Sequence, residues 1–318
     1  MKQFIQVEDV PDKDVESLVQ EAIKLKKQPF QFDDLGKHKT LGLIFFNQSL
    51  RTRLSTQRAA QNLGMDVISM NMNSESWQLE FQDGTVMDGN TQEHVREAAA
   101  VISQYCDIIG IRTFASLTDR GKDYREDVLS KFMQFAKVPI VNLESAIRHP
   151  LQSLADLITI EEHKKIKRPK VVLSWAPHPR ALPQAVANSF VEWVKNSDAE
   201  LVVTHPEGYE LADEFVQDVS VVTCQQEAFE GADFIYAKNW SAYQDYGKIL
   251  LKDNNWTITE EKMNLTNQAR FMHCLPVRRN MIVSDAVIDH ENSLVLEQAR
   301  NRIFAAQVVL KKILEWKN

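Results

Sequence analysis

The stretch TLGLIFFNQSLRTR, residues 40–53, decides the fold. Its first seven residues, Thr40–Phe46, are almost wholly apolar and show no polar alternation. So short a run reads as a strand, and without alternation it reads as one buried on both faces of a sheet. Polar Asn47 and Gln48 follow, and the segment Thr52–Gly64 reads as a helix. A buried strand turning at once into a helix is the unit of a mainly parallel sheet covered by helices.

The same alternation runs outward through the chain. Further strands are expected at Asp66–Met72, Asp107–Thr113, Val138–Asn142, Lys170–Ala176, Glu200–His205, Phe234–Lys238 and Arg270–Leu275. Helices are expected at Asp12–Lys27, Thr91–Tyr105, Tyr124–Ala136, Pro150–Lys164, Leu182–Lys195 and Arg302–Lys317. This spacing leaves room for crossover helices and predicts an α/β chain with helices on both sheet faces. The helix Pro150–Lys164 falls near mid-chain and divides two strand-rich lobes. Asn73–Asn90, which contains Trp77, is polar and weakly periodic, and loops of that length usually serve function.

Composition narrows the classes. With 318 residues, 44% hydrophobic and 25% charged, the chain has the make-up of a two-lobed globular protein. No apolar run reaches the roughly 18 residues of a membrane span, and the N-terminus turns acidic before a signal core could form. A net charge of −7 argues against a nucleic-acid partner. Cys106, Cys224 and Cys274 form no CxxC, so no disulfide framework or structural zinc is expected, and a cytoplasmic home is.

Three patches carry candidate chemistry. Ser49-Leu50-Arg51-Thr52-Arg53 opens a helix, where unpaired N–H groups, hydroxyls and guanidiniums suit a phosphate. No GxxxxGK[ST] or GxGxxG points to a nucleotide instead. Arg148-His149-Pro150-Leu151-Gln152 places an imidazole and an amide three residues apart at a helix start, suited to polarising a carbonyl and gripping an NH2. His273-Cys274-Leu275-Pro276 closes a strand, where adjacent side chains point to opposite faces, so His273 and Cys274 make no hydrolytic dyad. Arg112 ends a further strand, where parallel sheets collect ligands. Each has an ordinary alternative: a helix cap, a solvated arginine, a buried thiol.

Taken together and in this order, the patches resemble the transcarbamylase family, the aspartate and ornithine carbamoyltransferases. SLRTR resembles its carbamoyl-phosphate loop S-T-R-T-R, HPLQ its carbonyl-binding motif, and HCLP its ornithine-branch signature. The N-acylornithine branch is resembled more closely, through Trp77 with EFQDGTVMDG, WAPHPRALPQAVANS (175–189) and Ala237-Lys238-Asn239-Trp240. No S-M-G loop of the ornithine enzymes is found, which favours an acceptor with a blocked α-amine. The resemblance implies a carbamoyl-phosphate domain over 1–147, an acylornithine domain over 148–301, and a last helix, 302–318, packing back on the first. It assigns carbamoyl phosphate to Ser49, Leu50, Arg51, Thr52, Trp77, Arg112, His149 and Gln152. It assigns the acceptor to Gln92, Phe114, Glu144, His178, Arg180, Lys238, Cys274, Leu275 and Arg278. Arg112, His149, Gln152 and Cys274 are the expected catalytic residues. No cofactor or metal is implied. The family implies a homotrimer in which Trp77 reaches a neighbouring subunit, lobes that close on substrates, and a knotted C-terminal lobe.

Position 92 bears on the acyl group. By resemblance, acetylornithine enzymes carry glutamate there and succinylornithine enzymes proline; this chain has Gln92. A desolvated glutamate would repel a succinyl carboxylate, a neutral glutamine would not. With His178 and Arg180 nearby, the expected reaction is carbamoylation of N-succinyl-L-ornithine in arginine biosynthesis, with N-acetyl-L-ornithine as the alternative. Further rivals are a catalytically silent binding protein of the same fold and a transferase for another amine, such as putrescine or aspartate.

Overall fold

The computed structural model describes residues 1–251 and 255–317. The chain divides into two compact units. The first comprises Met1–Ser116, Gly121–Leu151 and Arg302–Asn318. Its strands are β1 (Thr40–Phe45), β2 (Asp66–Asn71), β3 (Leu79–Glu80), β4 (Glu93–His94), β5 (Ile108–Arg112) and β6 (Ile140–Glu144). Four of them pair in parallel in the order β2-β1-β5-β6, and β3 pairs separately with β4.

β1 is buried from Leu41 to Phe45, which explains its unbroken apolar sequence. Gly42 is required there because a Cβ would meet the Cys106 sulfur at 2.7 Å. Gly64, at φ +77°, follows the helix Arg51–Asn62, and a Cβ there would strike the Asp33 carbonyl oxygen at 1.9 Å. Ile44, Ile109, Ile111, Val95, Leu129 and Phe132 pack into one apolar cluster beneath the helices Val95–Tyr105 and Asp127–Phe135. Each such side chain contributes about 1.5–3 kcal/mol on burial.

The second unit comprises Leu117–Arg120 and Gln152–Asn301. Its strands are β7 (Lys170–Trp175), β8 (Glu200–Thr204), β9 (Ser220–Val222), β10 (Phe234–Lys238) and β11 (Arg270–Met272). All pair in parallel in the order β11-β10-β7-β8-β9. Val172, Phe229, Ile235 and Phe271 centre its core.

Both sheets reverse direction of build at one place. In the first unit the chain leaves β1 for β2 on one side and later adds β5 on the other; in the second, β7 stands likewise with β8 and β10. Parallel sheets collect ligands beyond the carboxyl ends of strands at such switch points.

Several elements differ from expectation, among them β11, which ends at Met272 before His273, and three helices. The helix expected from Thr91 begins at Val95, because Glu93–His94 pairs as β4 and His94 Nδ1 caps the helix by accepting the Arg96 N–H at 3.1 Å. The helix expected over Tyr124–Ala136 breaks at Glu126, which sits in the left-handed region at φ 50°. The last helix, expected from Arg302, starts at Val295. No helix among the described residues is long and apolar enough to cross a membrane.

Candidate active site

In the first unit, the strand-to-helix turn after β1 builds an anion cradle. The helix Arg51–Asn62 starts at Leu50 with no side-chain cap and no acidic residue in its first turn. Its leading N–H groups and positive dipole end therefore carry no built-in anion. Ser49 and Arg51 are half-buried, Leu50 is exposed, and Thr52 is buried. Arg302 Nη2 donates to Thr52 Oγ1 at 2.6 Å, which occupies a lone pair and directs the hydroxyl hydrogen elsewhere. Arg53, the second arginine of the motif, lies over the Phe45 ring at 4.9 Å, a packing role.

Arg112 ends β5 beside this turn and is 8% exposed. Its Nη1 donates to Asn47 Oδ1 at 2.8 Å and to the Gln48 carbonyl at 3.0 Å, so it holds the turn that precedes Ser49. Its Nε and Nη2 both donate to Glu144 Oε2, at 3.0 and 2.6 Å. A bulge between Ile111 and Arg112 sets Arg112 opposite Glu144 across the β5–β6 pair. His149 Nε2 lies 3.7 Å from the same carboxylate oxygen. A chain of contacts thus runs from Gln48 through Arg112 and Glu144 to His149. The Phe114 ring lies 5.2 Å from the Arg112 guanidinium and walls one side.

The turn carrying His149 rests on Glu126, whose Oε1 accepts the Ile147 N–H at 3.3 Å. Burial pushes the Glu126 carboxyl above the ordinary glutamate range, against the pull of Ser145, the Ile147 and Ala146 N–H groups and the Arg148 charge. Trp77 is 52% exposed, and its Nε1 donates to Glu93 Oε2 at 2.8 Å. Gln92 is exposed, its N–H bonded to the Gln78 carbonyl at 3.0 Å.

In the second unit, the carboxyl ends of β7, β10 and β11 bring together a cationic cluster. Arg278 Nε donates to His178 Nε2 at 3.1 Å. Arginine only donates, so the ring proton sits on Nδ1, from which the Arg180 carbonyl accepts at 2.8 Å. Burial first, then the charges of Lys238, Arg278 and Arg180, hold the His178 imidazolium below the ordinary histidine range, while the Arg180 carbonyl opposes them. The ring is therefore neutral at neutral pH, amid three cations. Lys238 is buried at the end of β10, with Nζ donating to the Asn239 carbonyl at 2.9 Å. Such a cluster suits a carboxylate. Cys274 is half-buried and in no disulfide, and Leu275, at φ 55°, turns the chain sharply after it. Gln152 is fully buried, with Nε2 donating to Asp156 Oδ1 at 2.7 Å. Among the described residues, no group of three or more histidines, cysteines or carboxylates is placed to hold a metal.

Sequence reasoning missed Asn47 and Arg302. Asn47 could have been found as the polar residue ending the β1 run; Arg302 offers no local signal, since it bonds Thr52 across 250 positions.

A two-unit α/β protein with an uncapped helix N-terminus suited to an anion on one unit and a cationic cluster on the other is the class these features define. The chain belongs to the aspartate/ornithine carbamoyltransferase family: residues 2–162 match its carbamoyl-P binding domain and 183–313 its Asp/Orn binding domain. It is 55% identical over 317 residues to the N-succinylornithine carbamoyltransferase of Bacteroides thetaiotaomicron, covering 99% of each chain. It is 32% identical to the N-acetylornithine carbamoyltransferase of Xanthomonas campestris pv. campestris, over 99% of this chain and 98% of that one. Among solved structures it resembles a glutamate-to-alanine variant of N-acetyl-L-ornithine transcarbamylase complexed with carbamyl phosphate and N-succinyl-L-norvaline. That match has a TM-score of 0.92 at 32% identity and covers 98% of this chain and 100% of that one.

Proposed function

We propose that the protein transfers the carbamoyl group of carbamoyl phosphate to the side-chain amine of N-succinyl-L-ornithine, releasing N-succinyl-L-citrulline and phosphate, in arginine biosynthesis. The observation that carries the acceptor assignment is the set of Arg180, Lys238 and Arg278 around a neutral His178, in a chain whose residue 92 is an uncharged glutamine. N-succinyl-L-ornithine bears one carboxylate more than the acetyl compound, and three cations accommodate two. The 55% identity to a succinylornithine enzyme supports the same choice. N-acetyl-L-ornithine is the second reading, favoured by relatives at 32–34% identity.

The acceptor amine is nucleophilic only when neutral, yet free it titrates near 10.4, so the site must bind its uncharged form. Arg112 and His149 stabilise the oxyanion of the tetrahedral intermediate, and Gln152 takes the carbamoyl NH2. Ser49, Arg51, Thr52 and the helix N-terminus hold the departing phosphate, which itself accepts the amine proton. The backbone about Cys274 and Leu275 orients the attacking amine. Orientation and electrostatics supply the rate enhancement, without a covalent intermediate. In the same reading the protein is a cytoplasmic homotrimer, and the half-exposed Trp77 completes a neighbouring subunit's site. The direct test is mass spectrometry of the product formed from carbamoyl phosphate and N-succinyl-L-ornithine. N-succinyl-L-citrulline supports the assignment; binding of both substrates without any product would make the protein a silent homologue.

A further inference from the structure

A chain of buried hydrogen bonds in the second unit links two parts of the proposed site. Asp156 lies one turn beyond Gln152 on the helix Pro150–His163, so the two share a face. Gln152 and Asp156 are both 0% exposed and Gln298 is 1% exposed. Gln152 Nε2 and Gln298 Nε2 both donate to Asp156 Oδ1 at 2.7 Å. Gln298 Oε1 accepts the His273 N–H at 2.9 Å, and His273 Nδ1 accepts the Leu275 N–H at 2.9 Å. One carboxylate oxygen therefore joins the carbamoyl-gripping glutamine to the turn that carries Cys274. Burial, and after it the neighbouring Asp156 and Cys274, push the Tyr236 phenol well above the ordinary tyrosine range, which keeps it neutral beside this chain.

A glutamine amide can face either way, offering its NH2 or its oxygen. Asp156 Oδ1 accepts from both amides, so each turns its NH2 inward. Gln152 then directs its oxygen away from Asp156, as an acceptor for N–H. Gln298 directs its oxygen at the His273 N–H. A carbamoyl group presents NH2, which the first orientation suits and the reverse would repel.

We propose that Asp156 is a positioning residue: it locks the amide of Gln152 to accept from the carbamoyl NH2 and, through Gln298, fixes the His273–Leu275 turn against which the acceptor amine is aimed. The proposal rests on the carbamoyl-transfer reading, and Asp156 acts through the two glutamines without touching substrate.

The test uses the full-length protein and the variants Asp156→Leu, Asp156→Asn and Gln298→Met. Binding of carbamoyl phosphate and of inorganic phosphate is measured by calorimetry, with kcat, both KM values and thermal unfolding alongside. Asp156→Leu removes the acceptor and leaves an apolar side chain in its place, so carbamoyl phosphate weakens about tenfold to hundredfold while phosphate, which has no NH2, stays within about twofold. Asp156→Asn, which retains an acceptor oxygen, restores most of that loss. Gln298→Met raises KM for the acylornithine about tenfold and leaves carbamoyl phosphate binding unchanged. Equal weakening of both anions by Asp156→Leu, or wild-type binding of carbamoyl phosphate, overturns the proposal. If Asp156→Leu does not fold, an unchanged acylornithine KM in Gln298→Met overturns it alone. A wild-type protein that carbamoylates no acylornithine would instead refute the functional reading, while the anion selectivity of Asp156→Leu could still be read.

Discussion

Arg112 and Glu144 face each other across the bulge of the β5–β6 pair, 2.6 Å apart and both less than a tenth exposed. The pair sets the angle at which Arg112 reaches the Gln48 turn, and it leaves no net charge buried at the root of the anion cradle. Removing one member of a buried ion pair strands the other, at a cost of about 3–5 kcal/mol. Glu144→Ala is therefore expected to lower unfolding free energy in urea by about 3 kcal/mol and to weaken carbamoyl phosphate. Glu144→Gln, which can still accept from Arg112, is expected to lose less than half as much. Equal losses would show that the charge alone matters.

His178 gives acceptor binding a pH profile. Its imidazolium is held below the ordinary value of 6.5, and only the neutral ring accepts from Arg278. The KM for the acylornithine is therefore expected to stay flat down to about pH 6.5 and to rise only in more acid solution. Linkage has the same sign: as pH falls through the ordinary histidine range, the unfolded chain takes up the proton first, so this group lowers stability toward acid. Initial-rate measurements across the range check it; a titration at or above the ordinary value contradicts it.

Glu126 works in the opposite direction. Its carboxyl is raised by burial, so the folded protein holds the proton more tightly than the unfolded chain. That contribution is complete below the ordinary glutamate value and is lost as pH rises through the raised one. Glu126→Gln is thus expected to gain stability on the wild type as pH rises from about 4 to 7. Urea melts at the two pH values measure it, and a constant difference would refute it.

In the proposed reading, Gln92 bears on the acyl group through its lack of charge. Gln92→Glu is expected to lower kcat/KM for N-succinyl-L-ornithine at least about tenfold by like-charge repulsion, with much less effect on the acetyl compound. Parallel loss on both acceptors would mean that residue 92 does not meet the acyl group.

What was legible in the sequence follows from burial. β1, β7 and β10 lie inside their sheets, so their apolar runs mark them to within a residue. β9 is three residues at an edge, and β3 and β4 are two residues each, set by pairing and not by their own side chains. The break at Glu126, whose side chain bonds the Ile147 N–H in another turn, has no local mark in the sequence. Among candidate residues, the motifs located Thr52 at a helix start and Arg112 at a strand end but not their partners. Glu144 was expected to face the acceptor, and its Oε2 accepts from Arg112. Asp156 and Gln298 lie on helices that carry many other polar residues, so neither stands out until the two helices meet.

Carbamoyl transfer to a succinylated ornithine is the proposed reaction. The most direct measurement is kcat/KM, by phosphate release at saturating carbamoyl phosphate, for N-succinyl-L-ornithine, N-acetyl-L-ornithine and L-ornithine. The succinyl compound is expected to lead each of the others by at least about tenfold, the scale of one good charge-assisted contact. A lead for the acetyl compound or for ornithine itself would contradict it.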